Sequence, residues 1–288
     1  MQIQKSFKEE KESGVLYLVP TPIGNLEDMT FRAVNVLKEV DIICAEDTRS
    51  TGLLLKHFGI KTKQVSFHEH NAYDKIPDLL DLLLAGRSLA QVSDAGMPSI
   101  SDPGHEIVRA AIDRDITVVA LPGASAGITG LIASGLAPQP HLFYGFLPRK
   151  AGQQRAFLMT KADYPETQIF YESPYRVKDT LTNLLACYGD RQVVLVRELT
   201  KLFEEYQRGQ ISEVLTYLAD HPLKGECLLI VAGANQADAS EPAEDLDLLA
   251  LVQQAIAAGM KPNQAIKTVA KDYKVNRQEL YQQFHGLG

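Results

Sequence analysis

Apolar residues in this chain fall into short runs broken by turn-forming residues, with longer stretches of helical spacing between them. Residues 15–19 (Val-Leu-Tyr-Leu-Val) form one such run, the length of a buried strand. Pro20 and Pro22 close it, each fixing φ and withholding an N–H, while Gly24 opens backbone conformations closed to other residues. Residues 20–25 therefore predict a rigid turn. A helix is expected over 30–39 with Thr30 as its N-cap. The same beat recurs through a strand at 41–45, a helix over 46–57, and a strand at 64–67 that runs into His68, Glu69 and His70. A helix over 76–84, a strand at 88–92, a small-residue turn over 93–104, a helix to about 114, a strand at 116–120 and a turn over 121–126 follow. Strand and helix in alternation predict a mainly parallel sheet covered on both faces.

The rhythm then changes. Strands are expected at 141–145, 167–171, 191–197, 203–208 and 226–231, with a helix at 212–218. Alternating polarity over 203–208 marks an antiparallel edge strand. Residues 234–245 are polar, small and acidic, as a linker is. Beyond it, helical spacing to 258, an apolar face at Ala265, Ile266, Val269 and Ala270, and a capping box at Asn276 and Glu279 describe three short helices. Their arrangement resembles a helix-turn-helix, and a small bundle docked on the main body fits the same pattern. The expected division is a flexible tail over 1–13, an α/β domain over 14–122, an α+β domain over 123–233, a linker over 234–245 and a helical tail over 246–288.

A chain of 288 residues is long enough for two domains with proper cores. Hydrophobic content of 45% with 23% charged residues is that of a globular protein, and no apolar run reaches the length of a bilayer span. The charged amino terminus lacks an apolar signal core, so a cytoplasmic location is expected. Cys44, Cys187 and Cys227 are too few and too scattered for a disulfide framework or a zinc cluster, and each sits among apolar residues as filler. No metal is called for. The net charge of −7 argues against a nucleic-acid partner, yet Lys261, Lys267, Lys271, Lys274 and Arg277 make the tail basic, and Arg149, Lys150 and Arg155 form a second basic group.

A Walker loop and a G-x-G-x-x-G loop are both absent, which disfavours nucleotide hydrolysis and ordinary dinucleotide binding. Turns rich in small residues nonetheless follow three strands, at 20–25, 93–104 and 122–126. In a parallel sheet such turns gather along one edge and form a crevice built largely from backbone. Ser93, Asp94, Ser99, Ser101 and Ser125 offer polar partners there. Taken singly, each turn is also what an ordinary β-to-α connection looks like.

Several motifs together resemble the tetrapyrrole methylase superfamily, and within it the subgroup that modifies ribosomal RNA. They are Val-Pro-Thr-Pro-Ile-Gly-Asn-Leu-Glu-Asp-Met-Thr (19–30), Ala-Glu-Asp-Thr-Arg (45–49), Val-Ser-Asp-Ala-Gly-Met-Pro-Ser-Ile-Ser-Asp-Pro-Gly (92–104) and Leu-Pro-Gly-Ala-Ser (121–125). Phe-Tyr-Glu-Ser-Pro-Tyr-Arg (170–176), Arg-Glu-Leu-Thr-Lys (197–201) and Lys-Gly-Glu (224–226) extend the likeness into the second half, and the tail shares it. The glycine-rich first loop of the porphyrin enzymes is replaced here by 20–25, which fits the RNA subgroup. The resemblance implies an α/β, two-domain tetrapyrrole-methylase-like (class III methyltransferase) fold with a small helix-turn-helix-like tail. It implies a homodimer that uses S-adenosylmethionine to methylate a cytidine ribose 2′-hydroxyl in the decoding region of small-subunit (16S) ribosomal RNA, free or in the 30S subunit. Cofactor contacts carried over by motif fall on Pro20, Ile23, Ser93, Asp94, Ala95, Gly96, Met97, Ile100, Ser125, Ala126, Tyr171 and Glu172.

An alcohol is a poor nucleophile until it begins to lose its proton, so a general base is expected near the transferred methyl group. Glu46, Asp47, Arg49, His68, Glu69 and His70 are placed for this at strand ends, and the catalytic set is read as Asp47, Arg49 and His68. Asp47 equally suits an N-cap, Arg49 a pairing with Glu46, and the histidines ordinary surface hydrogen bonds. RNA contacts are read at Arg149, Lys150, Arg155, Arg176 and Lys201, with a solvated charged face as the plain alternative for each. Two other functions remain open at this point: a methyltransferase for a small tetrapyrrole, and a ligand sensor whose tail binds DNA.

Overall fold

A computed structural model of the chain describes residues 1–6, 12–234, 248–257, 260–272 and 277–285. It divides into two compact units, 1–234 and 235–288. In the first unit, β1 (Val15–Leu18), β2 (Ile42–Ala45), β3 (Lys63–Ser66), β4 (Leu89–Val92) and β5 (Thr117–Ala120) make a sheet in the order β3-β2-β4-β1-β5. All its pairings are parallel. Helices α1 (Phe31–Glu39), α2 (Thr48–His57), α3 (Ala72–Leu84) and α4 (Gly104–Asp113) connect these strands. Successive strand residues face opposite sides of the sheet. Ile43, Ala45, Ala90 and Val92 join one buried cluster with Leu37 and Leu55, while Cys44 and Leu89 join another with Phe67, Leu80 and Ile107. With both faces covered, the interior strands read as mainly apolar runs, which explains their legibility in the sequence, while edge strand β3 (Lys-Gln-Val-Ser) does not.

Local signals fix the helix starts. The Thr30 hydroxyl accepts the Ala33 N–H at 3.1 Å and the Asp47 carboxylate accepts the Arg49 N–H at 2.8 Å, so each begins its helix as an N-cap. Helix α3 begins at Ala72, four residues before the expected position, and carries Pro77 inside it. The extra turn buries Ala72, and the Asn71 side chain secures it by accepting the His68 N–H at 2.9 Å.

Three helices that the sequence reading does not include accompany the second sheet, the first preceding it and the other two connecting its strands: α5 (Ala126–Ser134), α6 (Ala151–Met159) and α7 (Val177–Tyr188). The sheet comprises β6 (His141–Phe146), β7 (Thr167–Glu172), β8 (Gln192–Arg197), β9 (Glu205–Gln210) and β10 (Cys227–Val231), in the order β6-β7-β10-β8-β9, with α8 (Ile211–Asp220) between β9 and β10. Only β6 and β7 run parallel; the remaining pairs are antiparallel, and β9 is an antiparallel edge strand, with β6 at the opposite edge. Strand β9 starts two residues later than expected. Glu198 and Thr200 sit at φ of +50° and +66°, and the chain is taken up there by a turn closed by the Lys201 N–H to Glu198 carbonyl bond at 2.9 Å. Val194, Val196, Leu228 and Ile230 cover one face together with Leu131 of α5, and Leu195, Leu229 and Val231 cover the other with α7 and α8.

The second unit is built from α9 (Leu248–Ala257), α10 (Pro262–Asp272) and α11 (Arg277–His285), which enclose Val252, Ala265, Ile266, Val269, Ala270 and Leu280. The expected linker over 234–245, apart from Ala234, lies outside the described residues, as do the turn at 273–275 and Asn276. Among the described residues, no helix is long and apolar enough to cross a membrane.

Leu229 is fully buried in the second sheet, and Leu229→Ala lowers unfolding stability by about 2–5 kcal/mol. Thr30→Ala removes only a cap and costs about 1 kcal/mol. Urea unfolding followed by circular dichroism measures both.

Candidate functional site

Strands β4, β1 and β5 are consecutive neighbours in a parallel sheet, so the loops that leave their carboxyl ends emerge side by side. The first two loops are laced together. Thr21 and Gly96 exchange two main-chain hydrogen bonds of 3.0 Å, and the Thr21 hydroxyl donates to the Ser93 carbonyl at 3.1 Å. Gly96 adopts φ +77°, a region that favours glycine, and a side chain there would press on Ile23 and the Ala124 carbonyl. The third loop closes on the first: Gly123 lies directly against the Pro20 ring.

The loop over 93–104 is held by one carboxylate. Asp102 accepts the Ser99 N–H at 2.9 Å, the Gly104 N–H at 2.8 Å and the amide of buried Gln91 at 2.8 Å. This grip sustains Ser99 at φ +69°, a cost repaid by a fixed loop beside the crevice.

A cavity of about 680 Å³ opens at these loops. From the first sheet it is lined by Ile23, Glu46, the 93–97 segment, Ile100, Ser101 and Asp102. Residues 125–128 at the start of α5 contribute next, where Ser125 makes no side-chain cap and leaves the first N–H groups of the helix to another partner. Antiparallel pairing supplies the opposite wall. It sets Cys227 at the start of β10 across from Glu172 at the end of β7 and from Arg197 at the end of β8, so three strand ends share one edge. Phe143 and Phe146 flank Tyr171 there, with ring centroids 5.0 and 5.6 Å away. Backbone and small residues on one side and aromatic faces on the other suit a ligand with both a polar chain and a flat ring.

Buried polar groups back the second wall. Glu172, whose side chain has no exposure, accepts the Thr180 hydroxyl at 2.7 Å and the Ser173 N–H at 2.8 Å, with Arg176 at 3.4 Å. Lys201 binds Glu198 at 2.9 Å and Glu226 at 3.1 Å, and its stem lies over Gly24 in the first loop. Burial works to lower the Lys201 ammonium, but its two carboxylate partners outweigh it and hold the pKa above the ordinary value. Cys227 borders the cavity, yet burial pushes its thiol up to about 12, so it stays protonated and is no nucleophile. Among the described residues no group of three His, Cys, Asp or Glu is arranged to hold a metal ion.

Eleven of the twelve positions read as cofactor contacts line this cavity; Pro20 instead packs beneath it on Gly123. Asp47, Arg49 and His68 do not line it. Arg49 pairs with Asp47 at 2.8 Å rather than with Glu46, and its hydrogen bonds hold the Asp47 carboxyl down at about 2. His68 Nδ1 is buried without a partner, and Asn71 lies 3.2 Å from Nε2. Of the cationic positions, Arg149 and Arg176 border a separate hollow of about 290 Å³ beside α6 and α7, and Arg149, Lys150 and Arg155 are exposed. Arg176 donates to the Leu147 and Pro148 carbonyls, and Lys201 is engaged as described. Gly127, Ile128, Leu199 and the 225–228 segment are lining residues that sequence reasoning misses, because only strand pairing and the unforeseen α5 bring them to the cavity.

Comparison with known proteins places this geometry in context. Residues 15–215 match the family model "Tetrapyrrole (Corrin/Porphyrin) Methylases". A protein of Streptococcus pyogenes serotype M1 named ribosomal RNA small subunit methyltransferase I is 79% identical over 287 residues, covering 100% of each chain. The protein of that name from Bacillus subtilis (strain 168) is 46% identical over 98% of each. Among solved structures, a uroporphyrin-III C-methyltransferase from Thermus thermophilus complexed with S-adenosylhomocysteine aligns with a TM-score of 0.54 at 20% identity, covering 76% of this chain and 97% of that one. A cobalt precorrin-4 methyltransferase aligns at 0.57 with 16% identity, covering 76% and 94%. These structures share the fold.

Removing the Asp102 carboxylate leaves the Gln91 amide buried without its acceptor, and Asp102→Ala costs about 1–3 kcal/mol. Hydrogen exchange under native conditions then shows faster exchange of the Ser99 and Gly104 amides, with the second-sheet strands unchanged.

Proposed function

Given that the chain belongs to the tetrapyrrole methylase family, we propose that it transfers a methyl group from S-adenosylmethionine to the ribose 2′-hydroxyl of a cytidine in the decoding region of small-subunit ribosomal RNA. The observation that carries this reading is the extent of the likeness to the ribosomal RNA methyltransferases. It runs through the whole chain at 79% identity, beyond the family domain at 15–215 and across the helical tail. A small-tetrapyrrole enzyme needs no such tail.

The cavity fits the cofactor. About 680 Å³ is adequate for a nucleoside carrying an amino-acid chain, and Phe143, Phe146 and Tyr171 offer apolar faces to a flat base. Ser93 to Met97, with Ile23, Ile100, Ser125 and Ala126, form the backbone-rich side, where small residues let a ligand approach the main chain. When bound, S-adenosylmethionine supplies a methyl group already activated by its sulfonium sulfur. Much of the remaining work for these residues is alignment, because holding the ribose oxygen in line with the methyl carbon lowers the barrier through proximity alone. The laced loops over 20–25 and 93–104 provide that rigidity.

RNA is held outside the cavity. Arg149, Lys150 and Arg155 form an exposed basic group, Arg149 and Arg176 flank the smaller hollow, and Lys261 and Lys267 add charge in the tail. Such contacts bind phosphate and position the strand. Residues 14–122 and 123–233 act as two lobes about the cavity, and the enzyme works in the cytoplasm as a homodimer on free small-subunit RNA or the assembled subunit.

Mass mapping of ribosomal RNA from cells lacking the protein should show one cytidine lighter by a methyl group, restored by the purified protein with S-adenosylmethionine. Loss of no methyl group would remove the reading. Lys150→Glu and Lys267→Glu each raise the KM for small subunits, most strongly at low salt where phosphate contacts count for most, while calorimetric affinity for S-adenosylhomocysteine holds; unchanged turnover in both variants at rising salt would exclude these lysines.

A further inference from the structure

Five carboxylates border the main cavity; three of them are tied to a cation or to several donors, and a fourth, Asp94, faces solvent. Glu172 is enclosed by the Thr180 hydroxyl, the Ser173 N–H and Arg176. Glu226 pairs with Lys201 at 3.1 Å. Asp102 is consumed by the Ser99 and Gly104 N–H groups and the Gln91 amide. Asp94 is exposed and caps the Asp47 N–H at 3.1 Å. Glu46 stands apart. It is half-buried, makes no ion pair among the described residues, and accepts one long bond from the Asp94 N–H at 3.3 Å.

Resting on the methyltransferase reading above, we propose that Glu46 is the general base of the reaction, placed at the cavity wall with carboxylate lone pairs uncommitted. As the 2′-oxygen forms its bond to the methyl carbon, the carbon–sulfur bond breaks, the sulfonium becomes a neutral thioether, and the hydroxyl proton passes to the Glu46 carboxylate. The charges balance: one positive sulfonium and one carboxylate become a thioether and a carboxylic acid. The neighbours suit this task. Burial raises the Glu46 pKa, the Asp94 N–H bond opposes the shift, and the like charges of Asp94 and Asp102 raise it further, with His68 working against them. Asp47 and Arg49 on the same segment neutralise each other. A carboxylate of raised proton affinity is a better base than a free one. The position follows from β2: its apolar residues end at Ala45, Asp47 turns the chain into α2, and Glu46 is left at the rim between them.

Glu46→Gln tests this, since it preserves the acceptor for the Asp94 N–H and nearly the same volume. With wild-type protein methylating small subunits, the variant should lose about 10²–10⁴-fold in kcat, keep its thermal midpoint, and bind S-adenosylhomocysteine as wild type does by calorimetry. Wild-type kcat should fall as pH drops through the raised Glu46 pKa, and the variant should lack that limb. A carbon-13 NMR titration of the Glu46 carboxyl, compared with the variant, should place its midpoint above the ordinary glutamate range. The variant is thus expected to fold and bind but not to turn over. Retention of kcat close to the wild-type value, or an unchanged acid limb, overturns the role of Glu46 and leaves the methyltransferase reading standing. Wild-type protein that neither methylates small subunits nor binds S-adenosylhomocysteine overturns both.

Discussion

Two main-chain hydrogen bonds between Thr21 and Gly96 hold this site together. Without them, the loops after β1 and β4 would be separate connections, each free to drift as surface loops do. With them, Ile23 packs against Gly96, the Thr21 hydroxyl reaches Ser93, and the 93–97 segment becomes a fixed wall. The bridge demands φ +77° at Gly96, so a single glycine joins the two loops at a place where a side chain would strain the backbone and crowd Ile23. Asp102 reinforces the same wall from behind, spending its carboxylate on three donors.

The second sheet meets this wall through a different geometry. Parallel strands bring loops together because every carboxyl end points the same way, as in β4, β1 and β5. Antiparallel strands do so by pairing the end of one with the start of the next, as Cys227 faces both Glu172 and Arg197. The cavity therefore has a backbone-rich side and a side-chain-rich side. Glu198, Lys201 and Glu226 tie the second to the first, because the Lys201 stem crosses Gly24. Alignment is what methyl transfer most needs, and the site meets it with laced backbone on one side and packed or paired side chains on the other.

Charge is distributed by the same logic. Asp47 and Arg49 satisfy each other at a helix start, Glu172 is sealed among donors, and Cys44 and Cys227 are kept protonated by burial with thiols pushed to about 12. Reactive capacity is thereby removed from most of the titratable groups around the site. What remains uncommitted is confined to the rim, where Glu46 sits.

Much of this protein was determined by sequence alone. The interior strands of the parallel sheet announce themselves as apolar runs because they are covered on both faces, whereas edge strand β3 (Lys-Gln-Val-Ser) does not, and Thr30 and Asp47 mark helix starts because capping is a local bond between residues two or three apart. Of the twelve positions that the family resemblance assigned to the cofactor, eleven line the cavity. Only tertiary structure decided the rest. Helix α5 is dense with small residues and apolar all round, so it shows no amphipathic stripe, and its role appears only when Gly130 meets Leu228. Arg49 found Asp47 instead of Glu46, and Asp47 left the cavity, because side-chain pairing depends on which way a helix start turns relative to a sheet. Strand β9 slipped by two residues to accommodate the turn at Glu198 and Thr200. Local bonds are written in local residues, whereas the choice among several competent partners is made by packing between segments far apart in the chain.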